Sequence, residues 1–149
     1  MTKKEETLAQ LRNAKKAHIK WVHRARALTE GLPVEKDAIP MDSTECLFGQ
    51  WFYGDGQALG VMPGMDCFKE IERKHNELHD AYLKIFKIYF GEMNRSFFSK
   101  IFNLKKKISH NEHEIALDYF GNLKAISEEL LEQIEKLERR INAMGDELI

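Results

Sequence analysis

Much of what would give a sequence away at sight is scarce or missing in this chain of 149 residues. It has two cysteines, Cys46 and Cys67, and three prolines. Two thiols are too few for the disulfide framework of a small secreted domain. In a reducing compartment they are more interesting as metal ligands or reactive groups. No apolar run approaches the roughly 20 residues of a membrane span. The opening "MTKKEETLAQ" turns polar and acidic where a secretion signal would turn apolar, so the chain is read as cytoplasmic. Excess charge is missing as well. The 23 Lys and Arg against 24 Asp and Glu leave a formal net charge of −1, which offers no global field to nucleic acid or to an anionic membrane. No alternating strand pattern of any length occurs, nor any internal repeat. The paired glutamates of a di-iron bundle are absent from the helical seams.

What is present points to one helical domain over residues 1–149. Apolar residues make up 43% of the chain and aromatics 10%, enough to build a core and to exclude disorder. Thr2 and Glu5 have capping-box spacing. After them Leu8, Leu11, Ala14, His18, Trp21, Ala25 and Leu28 recur at steps of three and four, the stripe of an amphipathic helix that Gly31 and Pro33 end. Residues 31–43 read as a loop. Asp42 and Glu45 repeat the start signal, which predicts a short helix with Cys46 in its first turns, running through Trp51 to near Gly54. The stretch "GDGQALGVMPG" reads as another loop. No strand precedes it and its spacing is wrong for a phosphate cradle.

A second long helix is expected from Asp66, with Phe68, Ile71, His75, Leu78, Tyr82, Ile85 and Tyr89 on one face and His79 flanking it. Gly91 and Asn94 allow it to end. The segment 96–108 is short and amphipathic, and reads as a covering helix with its lysines in water. From about Glu112 onward Phe120, Leu123, Leu130, Ile134, Leu137, Ile141, Met144 and Leu148 keep a seven-residue repeat, with Ser127 in one seam position. The predicted fold is all-α, an up-and-down helical bundle. It has about four main helices plus a short helix carrying the cysteine motif.

Four residues carry the candidate chemistry. His75 and His79 stand four apart, so they project from one helical face and suit two ligands on one metal. His18 occupies a core-facing position on another helix and Cys46 starts a third. Three imidazoles and a thiolate make a four-coordinate set matched to zinc. Each residue also has a plainer reading. A histidine on an apolar face can be a hydrogen-bonded core residue, and a lone cysteine a small buried hydrophobe. Their joint occurrence favours the metal, because unpartnered imidazoles in a core are costly. Cys67 lies about 12 Å along the helix from His75 at 1.5 Å per residue, too far to share that ion. His23, His110 and His113 read as solvated.

"HIKW" (His18 to Trp21), "CLFGQW" (Cys46 to Trp51) and "HNELH" (His75 to His79) together resemble the signature of the chemoreceptor zinc-binding domain family. The resemblance implies a helical bundle with His18, Cys46, His75 and His79 as zinc ligands, and Phe48, Gly49 and Trp51 as the structural part of the cysteine motif. It further implies a regulatory domain, not an enzyme, that responds to zinc or to oxidants such as hypochlorous acid. Such domains are attached to bacterial chemoreceptors and diguanylate cyclases, so a chemotaxis or cyclic-di-GMP signalling partner is expected, and a homodimer. Neither a receptor hairpin nor a cyclase domain is seen before Ile149, which suits a stand-alone member and a piece of a longer protein equally. The closed ligand set disfavours hydrolytic zinc chemistry. Two alternatives stay open. One resembles the DinB-like metal-dependent enzymes, with an open three-histidine site and Cys46 as a non-ligand. The other is an interaction bundle without metal.

Overall fold

Helix α1 (Lys3–Thr29) starts where the capping box predicts. The Thr2 hydroxyl accepts the Glu5 N–H at 3.1 Å while the Glu5 carboxylate accepts the Thr2 N–H at 3.0 Å, so two of the free amides at the helix start are satisfied. The chain turns away at Gly31, whose φ of 80° is one that glycine adopts without strain. The buried face of α1 contains the predicted stripe, His18 included. The computed structural model describes residues 1–35, 38–91 and 108–145.

Two shorter elements follow. Helix α2 (Leu47–Tyr53) begins one residue after Cys46, and Cys46 is its N-cap. This corrects the reading of Asp42 as a helix start. The Asp42 Oδ1 instead accepts from the Thr44 N–H and hydroxyl, both at 2.9 Å, an Asx turn in place of a helix cap. The glycine-rich stretch is also not all loop, because α3 (Gln57–Gly60) lies within it and buries Leu59.

Helix α4 (Asp66–Phe90) buries Phe68, Ile71, His75, Leu78, His79, Tyr82, Ile85 and Tyr89, and ends at Gly91. Helix α5 (His110–Ala143) starts two residues before the expected Glu112, because Ser109 and Glu112 form a second capping box. Its seam of Phe120, Leu123, Ser127, Leu130, Ile134, Leu137 and Ile141 is buried. The amphipathic segment expected at 96–108 lies outside the described residues except for Ile108, and the last seam position, Leu148, lies outside them too.

Cross-helix pairs set the directions. Arg12 meets Glu138 at 2.9 Å, Lys15 meets Glu135 at 3.6 Å, and the Arg26 guanidinium lies over the Phe120 ring, so α1 and α5 are antiparallel. Lys74 pairs with Glu129 and Lys84 sits over Tyr119, so α4 is antiparallel to α5 as well. The chain returns from the end of α1 to the start of α4 through α2 and α3. That return lays α2 against α1 and carries Cys46 to mid-bundle, level with the middle of the three long helices. The result is the all-α helical bundle expected from the sequence, with no strand among the described residues. No helix of the described residues is long and apolar enough to cross a membrane.

Candidate metal centre

Each candidate ligand is delivered by a different local device. His75 and His79 come from one face of α4, with ring centroids 4.7 Å apart. Cys46 is held at the mouth of α2 because its sulfur caps the helix, accepting the Gly49 N–H at 3.2 Å. Such a cap favours negative charge on the sulfur. Glycine at position 49 is a necessity of packing. A Cβ there would lie 1.7 Å from the Ser43 carbonyl oxygen, so the close approach that glycine permits is to the loop backbone entering α2.

Among the described residues, Cys46, His75 and His79 offer ligand atoms that all lie within 4.8 Å of one another. All three residues are buried, at 6%, 0% and 5% exposure. The Cys46 sulfur is 3.2 Å from His75 Nε2. His79 Nδ1 lies 2.7 Å from the Met41 carbonyl oxygen. A carbonyl can only accept, so Nδ1 carries the proton and Nε2 is left with its lone pair, the tautomer a metal-binding imidazole needs. His75 Nδ1 has no hydrogen-bond partner among the described residues, a buried polar atom that the apolar core does nothing to satisfy. Two imidazoles and a thiol at this spacing fit a borderline-soft ion of the zinc type.

His18 is placed differently. It is buried at 3% exposure, but its Nε2 lies 3.0 Å from the Ser127 hydroxyl on α5, and it is not one of the three residues gathered above. It lines the same cavity as Cys46 and His79, and its ring centroid is 6.3 Å from that of Phe48. With Nε2 engaged by Ser127, Nδ1 is the His18 nitrogen left free for another partner. Trp21 closes the site from α1, its ring 4.7 Å from His79 and its indole N–H donating to the Pro40 carbonyl at 2.9 Å. Trp51 is half-buried and hydrogen-bonds Gln10, two turns up α1 from His18.

The electrostatics follow from burial. Loss of water pushes His18 down to about 4, with His79 adding to the effect. It pushes His75 down to about 3, aided by His79 and His18. His79 is lowered by burial too, against which its Met41 bond and the charges of Asp42 and Asp80 act. Burial raises the Cys46 thiol, while the backbone N–H groups of Gly49 and Phe48 pull it down. Without a cation, then, the interior holds neutral imidazoles and a protonated thiol. A divalent cation would reverse the balance for the sulfur.

Cys67 is buried beside α5, with Lys136 and Arg140 near enough to act on it, and it is not among the gathered ligand atoms. His23 and His110 are exposed. Three features escape a reading of the sequence: the Ser127 hydroxyl, the Met41 carbonyl and the cavity beside Cys46. Only Ser127 left a trace, as the hydroxyl in an apolar seam.

A search of curated proteins and a search of solved structures each returned no significant match. A scan of family models returned the chemoreceptor zinc-binding domain, matched over residues 18–86. The match runs from the first candidate histidine to a point past the last, and takes in the whole return through α2 and α3. Residues 18–86, which hold all four candidate ligands, are thus similar to the chemoreceptor zinc-binding domain.

Proposed function

We propose that this protein is a zinc-binding sensory domain whose site is formed by Cys46, His75 and His79, with His18 as the fourth ligand, and whose reactive group is the Cys46 thiolate. The observation that carries the reading is the gathering of three buried donor atoms within 4.8 Å at mid-bundle. The family match over the same segment supports it. Zinc in such a set holds the sulfur deprotonated and braces the return segment against α4.

Two inputs act on this arrangement. One is zinc itself, whose binding draws α2 onto the bundle. The other is an oxidant. Oxygen transfer from hypochlorous acid to the Cys46 thiolate gives the sulfenic acid and chloride, and the sulfenic sulfur is a poorer metal ligand. Either input reaches α5 through the His18–Ser127 contact, and α5 is the element that would report to a chemotaxis or cyclic-di-GMP partner in the cytoplasm. A second copy of the chain is the expected partner on the outward face of α5, where Ile115 and Leu117 are 39% and 40% exposed.

Native mass spectrometry of the protein purified without added metal, repeated for Cys46→Ala and His79→Ala, reads zinc content and oligomeric state together. One zinc per chain in a dimer, lost or weakened in both variants, is the expected result. Zinc kept by Cys46→Ala but lost by His79→Ala would replace this reading with an open three-histidine site. No zinc in any of the three, even after it is added, would overturn the metal reading. A strictly monomeric wild type would remove the dimer.

A further inference from the structure

A cavity of about 350 Å³ opens between α1, the Pro40 loop and the start of α2. Its inner wall includes His18, Cys46 and His79, all buried, and its outer wall includes Lys16, Lys20 and Arg24, all exposed. The cavity is therefore open to solvent and lined by Cys46 together with three cations. Among the described residues, no carboxylate lines it. At about 30 Å³ for each water of liquid volume, it has room for an anion of roughly ten heavy atoms.

The three cations are spaced i, i+4, i+8 along α1, one stripe on the helix. Like charges four apart on a helix repel by a few tenths of a kcal/mol per pair, and elsewhere on α1 cations have acids to meet. Arg12 has Glu138, Lys15 has Glu135 and Arg26 has Glu30. Lys16 and Lys20 have no carboxylate partner among the described residues. Among the described residues Arg24 donates only to the Ala38 carbonyl, at 3.3 Å, a bond that does not neutralise its guanidinium. The charges of Asp42 and Asp80 act on His79, and that of Asp42 on Cys46 as well, but neither residue lines the cavity. In a chain of net charge −1, this is a local concentration of positive charge over one opening, with no carboxylate of the described residues on its wall.

We propose that this cavity is an anion-selective route to Cys46, admitting small anions such as sulfonates, oxyanions and short carboxylates ahead of neutral molecules and cations of equal size. Its physiological meaning rests on the reading of Cys46 as the reactive ligand. Regulation of the sulfur is thereby restricted by charge as well as by size.

The test compares two thiol reagents of similar size and opposite charge, sulfonatoethyl and trimethylammonioethyl methanethiosulfonate. Each forms a mixed disulfide with the thiolate and releases methanesulfinate. Rates at Cys46, located by peptide mass spectrometry, are divided by the rates of the same reagents with a small free thiol. They are measured on the protein as purified and after chelator treatment. The normalised rate ratio of anion to cation is expected to exceed one by about tenfold at low salt and to fall toward one at about 1 M salt. In the double variant Lys16→Glu, Lys20→Glu it is expected to drop below one. A wild-type ratio of one or less, or a ratio insensitive to both salt and charge reversal, would overturn the proposal. The metal reading fails separately. A chain that bound no zinc yet kept the salt-sensitive anion preference would lose that reading and keep this one.

Discussion

Ser127 is the one polar side chain in the buried seam of α5, and its hydroxyl is what His18 Nε2 touches. A serine among leucines and isoleucines gives up packing, and what it gains here is a hydrogen bond to a buried imidazole that lines the same cavity as Cys46 and His79. Groups that hold a ligand's second nitrogen typically contribute a factor of about 10–100 to metal affinity. Ser127→Ala should therefore weaken zinc binding by roughly that factor in a chelator competition. In the metal-free protein it should lower stability by about 1–3 kcal/mol, because the imidazole is left buried without a partner. Ser127→Thr, which keeps the hydroxyl, should restore most of the affinity. If zinc affinity in Ser127→Ala matched wild type, the hydroxyl would be only a seam filler. The gap at 127 is visible in the heptads, but its partner is not. The two residues are 109 positions apart, and nothing in the periodicity of α5 says which helix faces that hydroxyl.

At the scale of elements, α2 is where sequence and structure part company, and the reason is local chemistry. Aspartate two residues before a donor makes an Asx turn, and aspartate three residues before one makes a helix cap. Asp42 has both options in "DSTE" and takes the first. The cap then falls to Cys46, so the residue that would bind metal also starts the helix that positions it. The long helices were legible because their stripes and capping boxes act within one element. The entry angle of α2 was not, because it depends on the Ser43 carbonyl packing over Gly49. That contact supports a paired expectation. Gly49→Ala puts a Cβ 1.7 Å from backbone oxygen, a clash that no side-chain rotation relieves. It should cost about 3 kcal/mol in urea unfolding, at the upper end of ordinary overpacking, and weaken zinc binding with it. Gly121→Ala, inside α5 with nothing within 4 Å of the new Cβ, should instead stabilise by up to about 1 kcal/mol. Equal effects at the two positions would mean that the approach to Ser43 does not constrain α2.

For the whole molecule, burying three histidines between α1, α4 and the return segment links the stability of the bundle to pH. His18 is pushed down to about 4 and His75 to about 3, both first by loss of water, against a value near 6.5 in the unfolded chain. His79 shifts the same way but is partly held up by Met41, Asp42 and Asp80. Folded pKa values below the unfolded ones mean that the unfolded chain binds more protons in the interval between them. The stability of the metal-free protein is therefore full above about pH 6.5 and declines as pH falls from there toward 4 and 3. Two such groups should remove about 3 kcal/mol between pH 7 and pH 5, a large share of the margin of an ordinary domain. Urea unfolding of chelator-treated protein at the two pH values measures the difference. His18→Leu, which has nothing to protonate at that position, should show a distinctly shallower dependence. A wild-type stability that did not change between pH 7 and pH 5 would mean that the imidazoles are already solvated before the bundle unfolds. Zinc should preserve the folded state at pH 7 and lose its hold over the same interval, since protons and metal compete for the same nitrogens. Protonation of these imidazoles and unfolding of the bundle are thus linked, and a cation bound to the same nitrogens would compete with both.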